Sequence, residues 1–425
     1  MNSERRTFLR QTMMGAAGLG IATRAAGATV PAELPAFDSA KPDAYWEAVR
    51  ALYPLAPDLK YFNTGGLGPA ASPVLARTEE ITRRLQSKVE HGHDLLAGAR
   101  ATLARFLGAD PAEISFVRNA TEGNSIVATG LKLGAGDEVI FESHAHPGGW
   151  YPWAQQQRLR GVVVKTFDPD PKDPAGNVAR IRALCTARTR VVQVSHVTAP
   201  TGIVMPVDEI ARLCRERGIW CHLDGAQSAG MIPFSLHAIG CDSYATSGHK
   251  WMGGPLETGV LYVRKERQNE VAPVHVGSYS GDLDEVTGEL GIAKDAMRYE
   301  YGTRTPAAPL GLAAAAELQE RIGRDRVFAH GRALAKHFIA RLAPIPGVEI
   351  LSPVDGPLAG SMVTFRTSIM PYDVLFKRLF YSHGFRCRPV SEQKLNAVRV
   401  SMHVFNTPAE CDALAETAAD ILRRA

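Results

Sequence analysis

The sequence predicts an α/β protein: a large domain with a mostly parallel sheet between helices, followed by a smaller α+β C-terminal domain. Two observations carry that expectation. Between about residues 95 and 265, short β-branched runs alternate with helical patterns, as strands joined by crossover helices do. From about residue 306 the texture becomes Ala- and Leu-rich, with helical patterns and fewer strands.

Taken in order, residues 29–60 read as an irregular arm with some helix, and Tyr61-Phe62-Asn63 leads into the Gly-rich turn Thr64-Gly65-Gly66-Leu67-Gly68-Pro69. Ile114-Ser115-Phe116-Val117 alternates apolar and polar over its first three positions and reads as a strand ending at Arg118. Further strands are predicted over 138–142, 161–167, 191–197, 219–224, 243–246 and 259–263. Val207, Ile210, Ala211 and Cys214 fall at i, i+3, i+4 and i+7, one face of a helix that ends at Gly218. In the smaller domain, strands are predicted over 361–366 and 397–402. Thr407-Pro408-Ala409-Glu410 is a capping box with Pro at the first helical position, ahead of Leu414, Ala418, Ile421 and Leu422 on one face. The expected divisions are a leader over 1–28, an arm over 29–60, a large domain over 61–305 and a small one over 306–425.

Composition narrows the function. The chain has 425 residues, 45% hydrophobic and 22% charged, a globular balance, and its length suggests two or three domains. The formal charge is +4, but residues 1–28 hold Arg5, Arg6, Arg10 and Arg24 against the single acid Glu4. The remainder carries a net +1, which gives no electrostatic case for nucleic-acid or membrane binding.

That N-terminus is organised. Glu4-Arg5-Arg6-Thr7-Phe8-Leu9-Arg10 resembles the twin-arginine export motif, the 13 residues from Gln11 to Thr23 are uncharged, and Arg24 precedes Ala26-Gly27-Ala28, a small-residue cleavage pattern. The uncharged run falls short of the roughly 20 residues needed to span a bilayer. A cleaved signal is therefore expected, with the twin-arginine translocase as a partner during export, a periplasmic destination and no stable membrane insertion. The six cysteines (Cys185, Cys214, Cys221, Cys241, Cys387 and Cys411) lack CxxC or metal-ligand spacing. Twin-arginine substrates fold in a reducing cytoplasm, so mostly buried free thiols are expected.

Four segments at predicted strand ends carry the chemistry, and in open α/β sheets ligands bind beyond the carboxyl ends of strands. They are Ser247-Gly248-His249-Lys250, Leu223-Asp224-Gly225-Ala226-Gln227, Asn119-Ala120-Thr121-Glu122-Gly123 and Ser143-His144-Ala145-His146. Each alone has an ordinary reading: a solvated lysine, an Asp-Gly turn, a helix cap, and two histidines without the further ligands of a metal site. No metal is expected. Together they supply what a pyridoxal phosphate enzyme needs: a lysine for the Schiff base, an acid for the pyridine nitrogen, a phosphate cradle and a ring to stack.

Those segments, taken in order with Ser195-His196-Val197, Gly302-Thr303 and Arg399-Val400-Ser401, carry a family resemblance. From Asn63 to its end, the chain resembles the class V aminotransferase family of fold-type I pyridoxal phosphate enzymes. That family includes cysteine desulfurases, selenocysteine lyases and isopenicillin N epimerase-like proteins. The resemblance implies that Lys250 holds pyridoxal 5′-phosphate as a Schiff base and moves protons at Cα. It further implies that Asp224 pairs with the pyridine nitrogen, Gln227 with the ring hydroxyl, and that His144 stacks on the ring. Ala120, Thr121, Ser247 and His249 would bind the phosphate, and Thr303 would complete the site of a neighbouring subunit, which implies a homodimer. Arg399 would clamp the substrate α-carboxylate.

Two departures separate the chain from the desulfurases it resembles. Their persulfide-forming cysteine sits in a loop about five residues beyond an arginine aligned with Arg388, where this chain reads Pro389-Val390-Ser391-Glu392-Gln393. Cys387 lies on the other side of Arg388, so desulfuration by a persulfide is not expected. Ala199 stands where desulfurases carry an Asn near the ring hydroxyl, with Thr198 as the substitute. The leading expectation is an aminotransferase-type reaction on an amino acid or peptide-like metabolite, with an epimerase or C–S lyase as the alternative. Signal and fold together resemble the periplasmic enzymes of pyoverdine maturation, which modify a siderophore precursor. A non-catalytic pyridoxal-binding protein is disfavoured by the presence of Lys250.

Overall fold

The computed structural model describes residues 34–425; the export signal expected over residues 1–28 lies outside the described residues. Seven strands form the main sheet: β1 (Ile114–Val117), β2 (Glu138–Glu142), β3 (Val163–Phe167), β4 (Thr189–Ser195), β5 (Trp220–Asp224), β6 (Ser243–Ser247) and β7 (Gly259–Val263). Their order is β1-β7-β6-β5-β4-β2-β3, with β2 to β6 parallel and β7 alone reversed, antiparallel to both β6 and β1. Both faces of β5 are buried, and so is all of β4 except Arg190, as expected of a parallel sheet covered by helices.

Most predicted strands lie within two residues of the observed ones, and the shifts have local causes. Gly161 sits at φ 72° as the left-handed cap of the preceding helix, so the strand predicted from it starts only at Val163. Val197 leaves β4 to bridge Val204 across a turn, which ends the strand at Ser195. The chain runs from β2 out to β3 and returns to β4 on the other side of β2. Strand order reverses there, and the carboxyl ends of β2, β4, β5 and β6 open onto one crevice.

Eight helices matter to the argument: α1 (Ser72–Lys88), α2 (Leu96–Leu107), α3 (Ala120–Gly130), α4 (Pro147–Arg160), α5 (Val207–Glu216), α6 (Ala307–Ile322), α7 (Arg324–Leu342) and α8 (Pro408–Arg423). The predicted core face of α5 is buried throughout. Helix α6 packs against α1 and α2. A second, antiparallel sheet has the order β8 (Val348–Ile350), β9 (Met362–Thr367), β11 (Ala397–Ser401) and β10 (Arg388–Val390). Phe338 of α7 and Leu414 of α8 share a core with Phe365 and Val400 of this sheet. Both halves of the capping box at Thr407 and Glu410 are made, and Pro408 opens α8. The arm expected over 29–60 contains a helix at Asp43–Arg50. The Ser401 N–H donates to Phe62 O at 2.8 Å, which brings the Gly-rich turn beside β11. All six cysteines are free thiols and five of them are buried.

A buried ion pair ties residue 300 to the sheet edge. Arg100 of α2 grips Glu300 through Nη1–Oε1 at 2.8 Å and Nη2–Oε2 at 3.1 Å, and the Phe116 N–H donates to Oε1 at 2.8 Å. Both side chains are only 7% exposed. Truncating one partner strands a buried charge. Glu300→Ala should therefore lower the unfolding free energy by about 3–5 kcal/mol in urea titrations. A loss below about 1 kcal/mol, the weight of an exposed pair, would show that water replaces the carboxylate.

Candidate active site

The crevice narrows to a cavity of about 270 Å³ whose walls come from strand ends and helix starts. Asp224, the last residue of β5, is buried in it. Its Oδ1 accepts the Ala226 N–H and its Oδ2 accepts Asn124 Nδ2–H, both at 3.0 Å. Helix α4 starts immediately over this carboxylate. A Cβ on Gly149 would lie 2.7 Å from Asp224 Oδ2, so only glycine lets that turn approach so closely.

Another wall is the start of α3. Asn119 caps it by accepting the Glu122 N–H at 3.0 Å, and the Ala120 N–H donates to Ser247 Oγ at 3.0 Å. Ala120, Thr121, Ser247 and His249 line this end, where helix N–H groups face an anion favourably. Nδ1 of His249 is buried without a partner, a polar atom awaiting one. Lys250 enters from the loop after β6. Burial pushes its ammonium down to about 8 against the opposing pull of Asp224, and Arg399 and Arg388 push the same way as burial.

Arg399 of β11 also lines the cavity and is buried at 1% exposure. Its Nη1 donates to Ala199 O at 2.6 Å and its Nη2 to Asn63 Oδ1 at 3.2 Å, while Nε has no partner. Arg388 faces it in register across β10–β11; its Nη2 is paired with Glu392 and its Nη1 is unpartnered. Lys250, Arg388 and Arg399 thus share the cavity with one carboxylate, Asp224, and the balance favours anions. A larger groove of about 880 Å³, beside the Asp43–Arg50 helix, contains none of these groups.

The structure gathers Lys250, Asp224, Gln227, Ala120, Thr121, Ser247, His249 and Arg399 around one cavity. Gln227 arrives already engaged: Nε2 donates to Gly65 O at 2.8 Å and Oε1 accepts Trp251 Nε1–H at 2.7 Å. Two expected residues are elsewhere. His144 does not line the cavity; its Nδ1 lies 2.8 Å from Thr201 Oγ1. His146 lines the cavity instead. The cause is Pro147, which starts α4 and holds the preceding residue extended, so that His146 caps the helix by accepting the Gly148 N–H at 3.0 Å. Thr198 is also turned away, 2.9 Å from Thr201 Oγ1 and accepting the Ile203 N–H at 2.9 Å. Thr303, expected to complete the site of a neighbouring subunit, is exposed and outside this cavity.

With this geometry in place, the comparisons decide the family. The aminotransferase class-V profile matches residues 74–414. The chain belongs to that family. It is 31% identical over 386 residues to isopenicillin N epimerase of Streptomyces clavuligerus, covering 87% of this chain and 97% of the relative. It is 29% identical over 382 residues to a probable cysteine desulfurase of Halalkalibacterium halodurans, covering 84% and 92%. Among solved structures, a lysine-to-alanine variant of C-DES with glycine covalently linked to its PLP cofactor superposes with a TM-score of 0.81 at 26% identity, covering 87% of this chain and 99% of that one.

Within this class V chain, sequence reasoning missed His146 and Arg388 as cavity residues. His146 had a usable signal, since an X-Pro step opening a helix marks its cap. Arg388 had none, because its place depends on pairing with a strand that follows a loop. No cysteine lines the cavity; Cys387 is buried, its thiol pushed up to about 12 by burial. The lowered ammonium of Lys250 gives a direct test. In cofactor-free protein, acylation of Lys250 by an amine-selective reagent should reach half its maximal rate near pH 8, against an ordinary lysine value of 10.5. A midpoint above pH 10, read by peptide mass mapping, would contradict the walled-in geometry.

Proposed function

We propose that the protein is an exported pyridoxal 5′-phosphate enzyme acting at Cα of an amino acid or peptide-like metabolite, with an aminotransferase-type outcome. One observation carries this reading: Lys250, its ammonium lowered to about 8, shares a cavity with Asp224 and with the buried, half-satisfied Arg399. The residues fit the cofactor. The start of α3 with Ser247 and the unpartnered His249 Nδ1 suits a phosphate, and Asp224 suits a protonated ring nitrogen. When bound, pyridoxal phosphate supplies the electron sink for the pair left as a bond to Cα breaks.

The chain's own groups do the rest. Arg399 holds the substrate carboxylate with the N–H groups that its protein partners leave free, and Arg388 adds a second cation beside it. Lys250, neutral above about pH 8, is placed to take the Cα proton; passing it on rather than back to Cα would give the aminotransferase-type outcome. His146 closes the wall near Lys250 and Asp224; burial first, and then the Lys250 charge, keep its imidazole low and neutral.

Epimerisation is the second reading. It is favoured by the likeness to isopenicillin N epimerase. A C–S lyase outcome uses the same proton transfer and is compatible with the site; the lack of a cavity cysteine bears only on desulfuration through an enzyme persulfide.

The proposed assembly is a homodimer. Val274, Val276, Tyr279, Leu290, Met297 and Tyr301 are exposed along the segment that leads to Thr303, an apolar surface suited to a second copy. Residues 1–28 are proposed to direct the folded enzyme to the periplasm, where a siderophore precursor is the proposed substrate. Replacing both Arg5 and Arg6 with Lys should then leave the protein in the cytoplasm on fractionation; unchanged export would reject that route.

Incubation with amino acids and 2-oxo acids in deuterium oxide separates the reactions. Transamination releases a new 2-oxo acid, whereas epimerisation gives Cα deuterium and loss of optical activity. Lys250→Ala should abolish either. Arg399→Gln should lower kcat/KM by at least about 30-fold, the weight of ~2 kcal/mol. Turnover that survives Lys250→Ala would end the pyridoxal reading.

A further inference from the structure

A line of buried hydrogen bonds runs along one face of β5 and ends on Asp224. Strand alternation puts Trp220, His222 and Asp224 on the same face. Trp220 Nε1–H donates to Ser243 Oγ at 2.8 Å, and that oxygen lies 2.7 Å from His222 Nδ1. His222 Nε2 lies 2.9 Å from Asn124 Oδ1, and Asn124 Nδ2–H donates to Asp224 Oδ2 at 3.0 Å. Asn124, His222 and Ser243 are all at 0% exposure, so water satisfies none of them.

The two ends dictate where every proton sits. An indole N–H only donates and a carboxylate only accepts. Asp224 accepts from the Asn124 amide NH₂, so Asn124 Oδ1 faces His222 Nε2 and the imidazole proton sits there. Nδ1 is then an acceptor, and Ser243, which accepts from Trp220, donates its own hydrogen to it. Turning Asn124 over would set its oxygen against Asp224 and against Gly148 O, which Nδ2 also bonds at 3.2 Å. Moving the imidazole proton to Nδ1 would leave two acceptors facing each other at His222 and Asn124. Burial, which holds His222 down to about 3, keeps the ring neutral as this pattern requires.

We propose that His222 is a positioning residue for Asp224: its Nε2–H tautomer fixes the Asn124 amide, and the amide fixes the carboxylate. His222 itself does not line the cavity, so it acts only through Asn124. The consequence for the cofactor rests on the pyridoxal phosphate reading above; the orientation of Asp224 rests on the hydrogen bonds alone.

Histidine-selective ¹⁵N NMR of the intact protein reads the tautomer directly, with and without pyridoxal phosphate. A neutral ring protonated on Nε2 is expected, and an Nδ1–H tautomer or an imidazolium would overturn the proposal. Two variants then test the consequence. His222→Phe keeps the bulk without the proton, while His222→Gln keeps a donor toward Asn124. The Phe variant should bind pyridoxal phosphate about tenfold more weakly or worse and lose kcat with little change in KM, and the Gln variant should recover most of both. Equal losses in the two variants, tracking their melting temperatures, would make His222 a core filler and reject the idea. Should the Phe variant not fold, Ser243→Ala removes one hydroxyl. An unaltered ¹⁵N spectrum and cofactor affinity in that variant would also reject it. Wild-type protein that fails to bind pyridoxal phosphate would end the cofactor reading instead, and the tautomer measurement would still decide the hydrogen-bond line.

Discussion

A carboxylate carried to the end of a strand buried on both faces has to be satisfied by its neighbours, because little water reaches it. Asp224 is in that position, and much of the surrounding architecture answers it. The turn after β5 supplies the Ala226 N–H, α3 supplies Asn124, and α4 starts close enough that residue 149 has no side chain. Gln193 of β4 holds that start in place by donating to Gly149 O at 2.9 Å while accepting Trp153 Nε1–H at 2.6 Å. Four separate elements therefore depend on one charged group. They come together only where the strand order reverses.

The same burial acts on the cations. Lys250 would be an ordinary protonated lysine in water; walled in beside two arginines, it gives up its proton near pH 8. The folded value lies below the ordinary 10.5, so the stability deficit is fully present below about pH 8 and fades as pH rises toward 10.5. The fold tolerates a loss of stability at neutral pH in order to hold an amine that is partly neutral there. That trade is characteristic of a site built for proton transfer rather than for structure.

What could be read from the sequence was whatever is local. Residues 138–142 and 259–263 were predicted with their observed limits because apolar runs there stop at turn chemistry. Lys250, Asp224 and Thr121 were found because each sits in a strand-end motif a few residues long. His144 was preferred to His146 because both follow β2, and only the start of α4 at Pro147 decides which one faces inward. Arg388, Asn124 and His222 had no local signal. Their roles come from register across β10–β11, from the face that α3 presents and from alternation along β5, all properties of packing rather than of spacing.

The placement of Arg388 opposite Arg399 has a further implication for what the site binds. Like charges directly opposite in an antiparallel pair repel, and here one of them is buried. Glu392 relieves Arg388, while Arg399 has only the neutral oxygens of Ala199 and Asn63. The loop that delivers Glu392 carries strain of its own, since Gln393, Lys394 and Asn396 sit at φ 52°, 56° and 51°. Left-handed backbone at such residues costs on the order of 1 kcal/mol each. Gln393 secures the loop by donating to Ser143 O at 2.7 Å, on the segment that leads to His146. Repulsion, desolvation and backbone strain thus accumulate within a dozen residues at one end of the cavity. An anion between the two guanidinium groups would relieve their repulsion. In the proposed function, that part of the cavity would take the substrate's carboxylate, in the space it shares with Lys250, Asp224 and the start of α3.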